Sequence, residues 1–161
     1  MDAGNSAAAA ADTELVITRD FDAPRELMFR LWTDPAHMLQ WLGPRDHPAV
    51  HVEMDARPGG AWRACLRPLD GGPDLWQGGV CREAVAPERI VFTFAWDKEH
   101  PAHSHETLVT VEFAEHGGKT RMTFRQSFLP SAEQRDGHRE GWTSTFDRLA
   151  DLASSMKGMA A

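Results

Sequence analysis

The feature that most constrains the fold is the stretch 131–156, whose pattern predicts one long amphipathic helix. Ser131 and Gln134 match a helix capping box directly after Pro130. Six side chains then recur at spacings of three and four, which places them on one face of the helix: His138, Trp142, Thr145, Leu149, Leu152 and Met156. A helix with one such stripe must bury it, so the remaining chain has to supply a surface for it.

That surface is predicted to be an antiparallel sheet. Seven segments combine strand-forming residues with an alternating pattern, at 14–21, 50–56, 61–69, 75–85, 89–96, 105–115 and 119–128. The last six follow one another through short turns, which favours a meander. Gly78 and Gly79 indicate a bulge in the fourth segment. Pro24 and Pro35 each open a short helix between the first and second strands.

We therefore predict an α+β fold in which a strongly twisted sheet of about seven strands wraps around the long helix. The length of 161 residues predicts one domain over 14–157, preceded by a flexible tail at 1–13. The two short helices are expected to fill one end of the sheet. Its inner face need not be filled by side chains, so we expect a pocket between sheet and helix.

Composition argues against several classes of partner. The formal net charge of -7 argues against nucleic acid and anionic membranes as main partners. No apolar run approaches the ~20 residues that span a bilayer. Cys65 and Cys81 do not make a disulfide framework, and we interpret them as buried free thiols. These features predict a cytoplasmic protein, and we predict no cofactor. Whether two copies pair as a homodimer stays open.

A series of local motifs resembles a known group of proteins. The motifs lie at 22–29, 33–35, 41–44, 55–62, 87–92, 118–122 and 141–142, and read DAPRELMF, TDP, WLGP, DARPGGAW, PERIVF, GKTRM and GW. With the order of elements, they resemble the helix-grip (START-like, or SRPBCC) superfamily, and within it the homologues of the activator of the heat shock protein 90 ATPase. The resemblance implies the helix-grip fold. It leaves function open, since the superfamily includes lipid carriers, hormone receptors, polyketide cyclases and oxygenase subunits.

The predicted pocket is lined by inward-facing side chains of the strands and of the long helix. The candidate ligand-binding residues are Trp41 at the mouth, Trp62, Phe94, Trp96, Met122, Phe124, Gln126, His138 and Trp142. The apolar members can equally be core residues, since apolar side chains at regular spacing usually pack together. The expected ligand is a small hydrophobic or aromatic molecule.

Gln126 is the most informative candidate because it is in phase with Met122, Phe124 and Phe128. A buried amide without a partner costs about 1–3 kcal/mol, so a ligand, a water molecule or His138 must satisfy it. His138 lies on the apolar face of its helix, where a neutral imidazole can bond Gln126 or a ligand oxygen. A purely structural histidine is the alternative.

Three further histidines, His100, His103 and His105, lie close together in the chain. Imidazoles at such short spacing can bind a transition metal. Pro101 interrupts the segment, and we interpret it as a solvated loop. We therefore predict no metal site.

Three functions stay open from the sequence. We favour a binder of a small hydrophobic molecule. The first alternative is an enzyme of the cyclase or hydratase type that uses His138 or Gln126 in the same cavity, although no inward nucleophile lies beside a base in the predicted strands. The second alternative is a protein-interaction module that acts on a chaperone or another partner.

Overall fold

The computed structural model describes residues 13–97 and 105–160, with side chains through Lys157. Strands in this part of the chain are Leu15–Phe21 (β1), Ala49–Met54 (β2), Ala61–Leu66 (β3), Leu75–Val85 (β4), Arg89–Trp96 (β5), Thr107–His116 (β6) and Lys119–Ser127 (β7). Its helices are Arg25–Thr33 (α1), Pro35–Trp41 (α2) and Ala132–Ala160 (α3). The predicted order of elements is confirmed. The predicted tail, apart from Thr13, lies outside the described residues, as do His100 and His103.

The strands form one seven-stranded sheet in the order β1-β7-β6-β5-β4-β3-β2. Consecutive strands from β2 to β7 pair antiparallel, which confirms the predicted meander. β1 pairs antiparallel with β7, with Leu15 opposite Gln126. α3 is tied to β1, because Arg139 donates to the carbonyl of Val16 at 3.2 Å and Arg19 pairs with Asp147 at 2.7 Å. The long helix is thereby held across the sheet.

α3 begins as its sequence predicts and buries one face. The Ser131 hydroxyl accepts a hydrogen bond from the backbone N–H of Gln134 at 3.1 Å, which confirms the cap. The helix continues past the expected end at 156, to Ala160. Its buried side chains are Trp142, Thr145, Phe146, Leu149 and Ala153. Phe146 belongs to this face although it was not in the predicted stripe.

The centre between sheet and α3 is filled by aromatic rings. Trp32, supplied by α1, is 1% exposed, and its ring lies 4.8 Å from that of Trp41 and 6.0 Å from that of Phe146. The rings of Phe124 and Trp142 lie 4.7 Å apart in the same layer. Because protein interiors pack to the density of organic crystals, this aromatic layer leaves little open space at the centre of the interface.

Two local predictions are wrong. Phe128 does not continue the inward series of β7, because the strand ends at Ser127 and Phe128, at φ +70°, turns its side chain outward, where it is 63% exposed. The bulge lies between Cys81 and Glu83 instead of at the glycine pair. A Cβ atom at Gly79 would meet the carbonyl oxygen of Thr93 at 2.0 Å, so this glycine permits a close approach of β4 to β5.

Cys65 and Cys81 are free and buried, as predicted. Burial is the main cause that raises the pKa of both thiols. Across the described residues, no helix has both the length and the apolarity that crossing a membrane requires.

Candidate ligand-binding site

An inner cavity of about 210 Å³ opens at one end of the interface between sheet and α3. Its walls come from β3 to β5, from α3 and from the loop between α2 and β2. The lining residues are Leu42, Gly43, Pro44, His47, Leu66, Leu75, Gln77, Phe94, Trp96, Gly137, His138, Gly141, Trp142 and Thr145. The space is larger than the roughly 150 Å³ that admits benzene in an engineered cavity. It is therefore large enough for a molecule with one aromatic ring.

One wall of the cavity is aromatic. The ring of Phe94 lies 5.4 Å from that of Trp96, 5.6 Å from that of His138 and 6.1 Å from that of Trp142. All three contacts are edge-to-face, an arrangement that aromatic pairs favour. Phe94 and Trp142 are 2% and 7% exposed, so their orientation is set by packing on the side away from the cavity. The wall is therefore a packed, largely aromatic surface.

Gln126 lies behind this wall and forms hydrogen bonds with two of its residues, His138 and Trp142. Its side-chain oxygen accepts hydrogen bonds from Trp142 Nε1 at 3.0 Å and from His138 Nδ1 at 3.0 Å. Its amide nitrogen donates to the Thr107 hydroxyl at 2.9 Å, and that hydroxyl donates to the carbonyl of Phe94 at 3.0 Å. The buried amide of Gln126 is thus satisfied within the protein, and it links α3 to β5 through β6 and β7.

The network also sets which nitrogen of a neutral His138 ring carries the proton. An indole N–H can only donate, so the atom of Gln126 that faces Trp142 is its oxygen. The same oxygen faces Nδ1 of His138, which must therefore carry a proton. In the neutral imidazole, Nε2 is then the acceptor, and it lies 3.4 Å from the indole Nε1 of Trp96. Of the partners considered for the Gln126 amide, a ligand, a water molecule or His138, the structure shows a bond to His138.

The loop wall of the cavity is held by Arg148 of α3. One guanidinium nitrogen donates to the carbonyls of Leu42 and Gly43 at 2.8 and 2.9 Å, and another to the carbonyl of Gln40 at 3.0 Å. Burial, followed by the charge of Arg45, lowers the pKa of Arg148. A planar guanidinium can bridge several carbonyls at once because its donors are fixed in a fork. The loop is therefore anchored to the helix across the cavity.

A second, outer space of about 460 Å³ lies against the inner cavity. Pro44, His47, Gly137 and Gly141 line both spaces, which makes these four residues the entrance of the inner cavity. The lining of the outer space adds four polar residues, Arg45, Asp46, Glu140 and Ser144. A hydrogen bond from His47 at 2.8 Å is the main cause that lowers the pKa of Asp46. Polar side chains therefore border the outer space beside the apolar inner cavity.

Gly137 and Gly141 keep the entrance open on the helix side. A Cβ atom at Gly137 would meet nothing within 4 Å, and one at Gly141 would meet only Pro44, at an ordinary 3.8 Å. Close packing therefore does not require glycine at either position. Glycine inside a helix lowers its stability by about 1 kcal/mol relative to alanine. Their effect in the folded protein is to leave space at the entrance.

The structure brings four of the nine predicted site residues together in the cavity wall: Phe94, Trp96, His138 and Trp142. Gln126 lies directly behind them. The other four lie in the packed core: Trp41, Trp62, Met122 and Phe124. Trp41, expected at the mouth, is fully buried and donates to the carbonyl of Leu31, and Trp62 donates to that of Thr93. Both indole N–H groups are thereby satisfied within the core.

Sequence reasoning missed Gln77 and the loop 42–47. Gln77 is 3% exposed and lines the cavity. A signal for it was present, since Gln77 is in phase with Leu75, Gly79 and Cys81, as Gln126 is with its apolar neighbours. The loop carried no such signal, because its place against α3 depends on contacts with residues about a hundred positions away.

The chemistry of the inner cavity is apolar with a few neutral polar groups. No carboxylate, lysine or arginine is among its lining residues, as far as residues 13–97 and 105–160 describe it. Within these same ranges, no group of three or more metal-ligating side chains comes together. The described lining therefore suits a neutral molecule.

A curved antiparallel sheet closed by one long C-terminal helix is the helix-grip, or START-like, fold, which commonly binds ligands. The chain belongs to the family described as Activator of Hsp90 ATPase homolog 1-like protein, whose profile matches residues 22–154. This match confirms the resemblance seen in the local motifs. A comparison with curated proteins gives no match.

Solved structures of bacterial proteins are similar over almost the whole chain. A protein of Chromobacterium violaceum is 27% identical, with a TM-score of 0.79, over 88% of this chain and 97% of the other. A Mycobacterium smegmatis protein is 26% identical, with a TM-score of 0.76, over 89% of this chain and 91% of the other. The AHSA1 protein of Silicibacter pomeroyi is 25% identical, with a TM-score of 0.78, over 88% and 97%.

Proposed function

We propose that this protein binds a small, neutral, hydrophobic or aromatic molecule in the inner cavity. The observation that carries the proposal is the wall formed by Phe94, Trp96 and Trp142 around about 210 Å³ of space without charged lining among the described residues. Ligand pockets are typically concave and mostly apolar, with a few polar groups that set orientation. The helix-grip fold supports the same conclusion, as a fold that commonly binds ligands.

The test uses toluene, a probe with one ring and no polar group. A ligand that binds only the folded state stabilises it by about 1.4 kcal/mol at ten times its Kd. Toluene should therefore raise the Tm of the wild-type protein in a concentration-dependent manner. It should also change the tryptophan emission, because Trp96 and Trp142 line the cavity.

Two variants of β4 make the test specific. Leu75→Phe adds a ring at a position that lines the cavity, and it should abolish the toluene-dependent rise in Tm. Val85→Phe places the same side chain on the same strand at an exposed position outside the cavity lining, and it should keep the wild-type response. Equal responses of both variants would show that toluene binds elsewhere, which contradicts the proposal.

The two alternatives make different predictions. A cyclase or hydratase in the same cavity predicts turnover that His138→Ala abolishes while the fold survives. A chaperone-associated module predicts binding of a protein partner that Leu75→Phe leaves unchanged. His138 lies in the cavity wall, and this position favours the enzyme over the interaction module as the second candidate.

A further inference from the structure

Gln77 lies on β4 with its amide at the wall of the inner cavity. The residue is 3% exposed and is one of the lining residues. Its backbone is placed by its strand neighbours, since it lies opposite Ala64 of β3 and Trp96 of β5 in the sheet. The side-chain amide is the remaining polar group of Gln77 that needs a hydrogen-bond partner.

The two buried glutamines of the sheet differ in how their amides are used. Gln126, fully buried, makes three side-chain hydrogen bonds to other side chains. Across residues 13–97 and 105–160, the Gln77 amide takes part in no hydrogen bond with the protein. Some side-chain nitrogen and oxygen atoms in this part of the chain are both inaccessible to solvent and without a hydrogen-bond partner, but those of Gln77 are not among them. The amide of Gln77 therefore keeps accessible surface at the cavity. A buried amide without a protein partner is unfavourable unless something in the cavity bonds to it.

We propose that the Gln77 amide is the polar anchor for the ligand of this cavity. The ligand is a neutral aromatic molecule that carries a hydroxyl, carbonyl or amide group, and this group bonds to Gln77. The inference rests on the proposed function and adds the polar group that the ligand must carry. Its neutrality follows from the lining, which within the described residues includes no carboxylate, lysine or arginine to balance a charge.

The Gln77 amide lies beside the aromatic wall against which the ligand's ring would pack. Gln77 is on the sheet side of the cavity, on the strand next to that of Phe94, and Trp142 faces it from the helix. An aromatic ring against Phe94 and Trp142 can therefore direct one polar substituent towards β4. A carboxamide both donates and accepts, so it matches a hydroxyl, a carbonyl or an amide equally well.

The experiment compares toluene with p-cresol, which differs by one hydroxyl group. Both are neutral at pH 7, since a phenol has a pKa of about 10. Calorimetric titration of the wild-type protein should show p-cresol binding at least about tenfold tighter than toluene, the scale of one well-made hydrogen bond to a buried partner. Gln77→Leu should reduce this preference below about twofold, because the leucine keeps the volume and removes the partner.

Gln40→Leu is the matched control, since Gln40 is exposed on α2 and does not line the cavity. It should keep the wild-type preference for p-cresol. Affinities of the wild-type protein for the two probes that agree within twofold would overturn the Gln77 assignment alone. Failure of both probes to bind the wild-type protein would overturn the proposed function itself.

A second measurement separates an anchor from a structural glutamine. Without ligand, Gln77→Leu should have a Tm equal to or above that of the wild-type protein, because a hydrocarbon replaces an amide that makes no protein bond. Gln77→Met, which is unbranched, should behave in the same way if leucine does not fit β4. A Tm lowered by several degrees in both variants would show that the amide is structural and would overturn the assignment.

Discussion

The side-chain oxygen of Gln126 accepts a hydrogen bond from the indole N–H of Trp142 at 3.0 Å, in a fully buried position. This bond joins the last strand to the long helix at the place where the inner cavity begins. Since the same oxygen also accepts from His138, one amide orients two of the cavity's lining side chains. The shape of the cavity therefore depends on a residue that does not line it.

Replacing Gln126 should cost stability and disorder the cavity wall. Gln126→Leu leaves the N–H groups of Trp142 and His138 without their buried acceptor, and each lost bond of this kind costs about 1–3 kcal/mol. We expect the free energy of unfolding to fall by about 3 kcal/mol in urea titrations. Arg125→Gln, at the exposed neighbouring position paired with Glu14, should cost less than about 1 kcal/mol. Similar losses in both variants would contradict the role given to the buried network.

Arg148 should stabilise the loop wall of the cavity mainly through the geometry of its hydrogen bonds, and only in part through its charge. Arg148→Met removes three hydrogen bonds to the carbonyls of Gln40, Leu42 and Gly43, and we expect a loss of about 2 kcal/mol. Arg148→Lys keeps the charge but loses the fork of donors, so it should recover only part of this loss. Urea unfolding measures both values, and full recovery by lysine would contradict the geometric argument.

Gly137 should be replaceable by alanine without harm to the fold. A Cβ atom there meets nothing within 4 Å, so Gly137→Ala should raise the free energy of unfolding by about 1 kcal/mol through helix propensity. Gly137→Leu has a similar helix propensity but extends a side chain at the entrance. We expect stopped-flow fluorescence to show slower toluene association for Gly137→Leu than for Gly137→Ala. Equal association rates would mean that Gly137 does not border the entry path.

Stability at acid pH should depend on the pair of Asp20 and Arg121. These residues lie opposite each other on β1 and β7, and Arg121 donates to both carboxylate oxygens at 2.8 and 3.1 Å. The hydrogen bond from Arg121 is the main cause that lowers the pKa of Asp20 below 3.8. A lowered folded-state pKa contributes stability above the unfolded pKa, and this contribution is lost as the pH falls through the folded pKa.

Urea unfolding at about pH 6 and about pH 3 tests this dependence. Asp20→Asn should show a smaller loss of stability between the two pH values than the wild-type protein. Arg121→Gln should show the same reduced loss, because it removes the main cause of the shift. A wild-type pH response in both variants would contradict the assignment.

Much of the fold and part of the site could be predicted from local patterns. The alternation in β7 placed Gln126 inward, and the spacing in α3 placed His138 and Trp142 on the buried face. The need to satisfy a buried amide then indicated His138 as one of three candidate partners of Gln126, besides a ligand and a water molecule, and the structure contains the bond to His138. The same argument applied to Gln77 would have identified the second buried amide, at the cavity itself.

What the sequence by itself determined is the order of elements, the meander and the inward faces, because strand alternation and helical spacing are local properties of the chain. The position of the open space was decided only by the tertiary structure. Trp32 from α1 and Phe146 from α3 fill the centre that was expected to be empty, and Arg148 draws the loop 42–47 across the remaining end. A cavity lies where the side chains of distant segments do not fill the space that the sheet encloses. No local pattern of the sequence encodes that position.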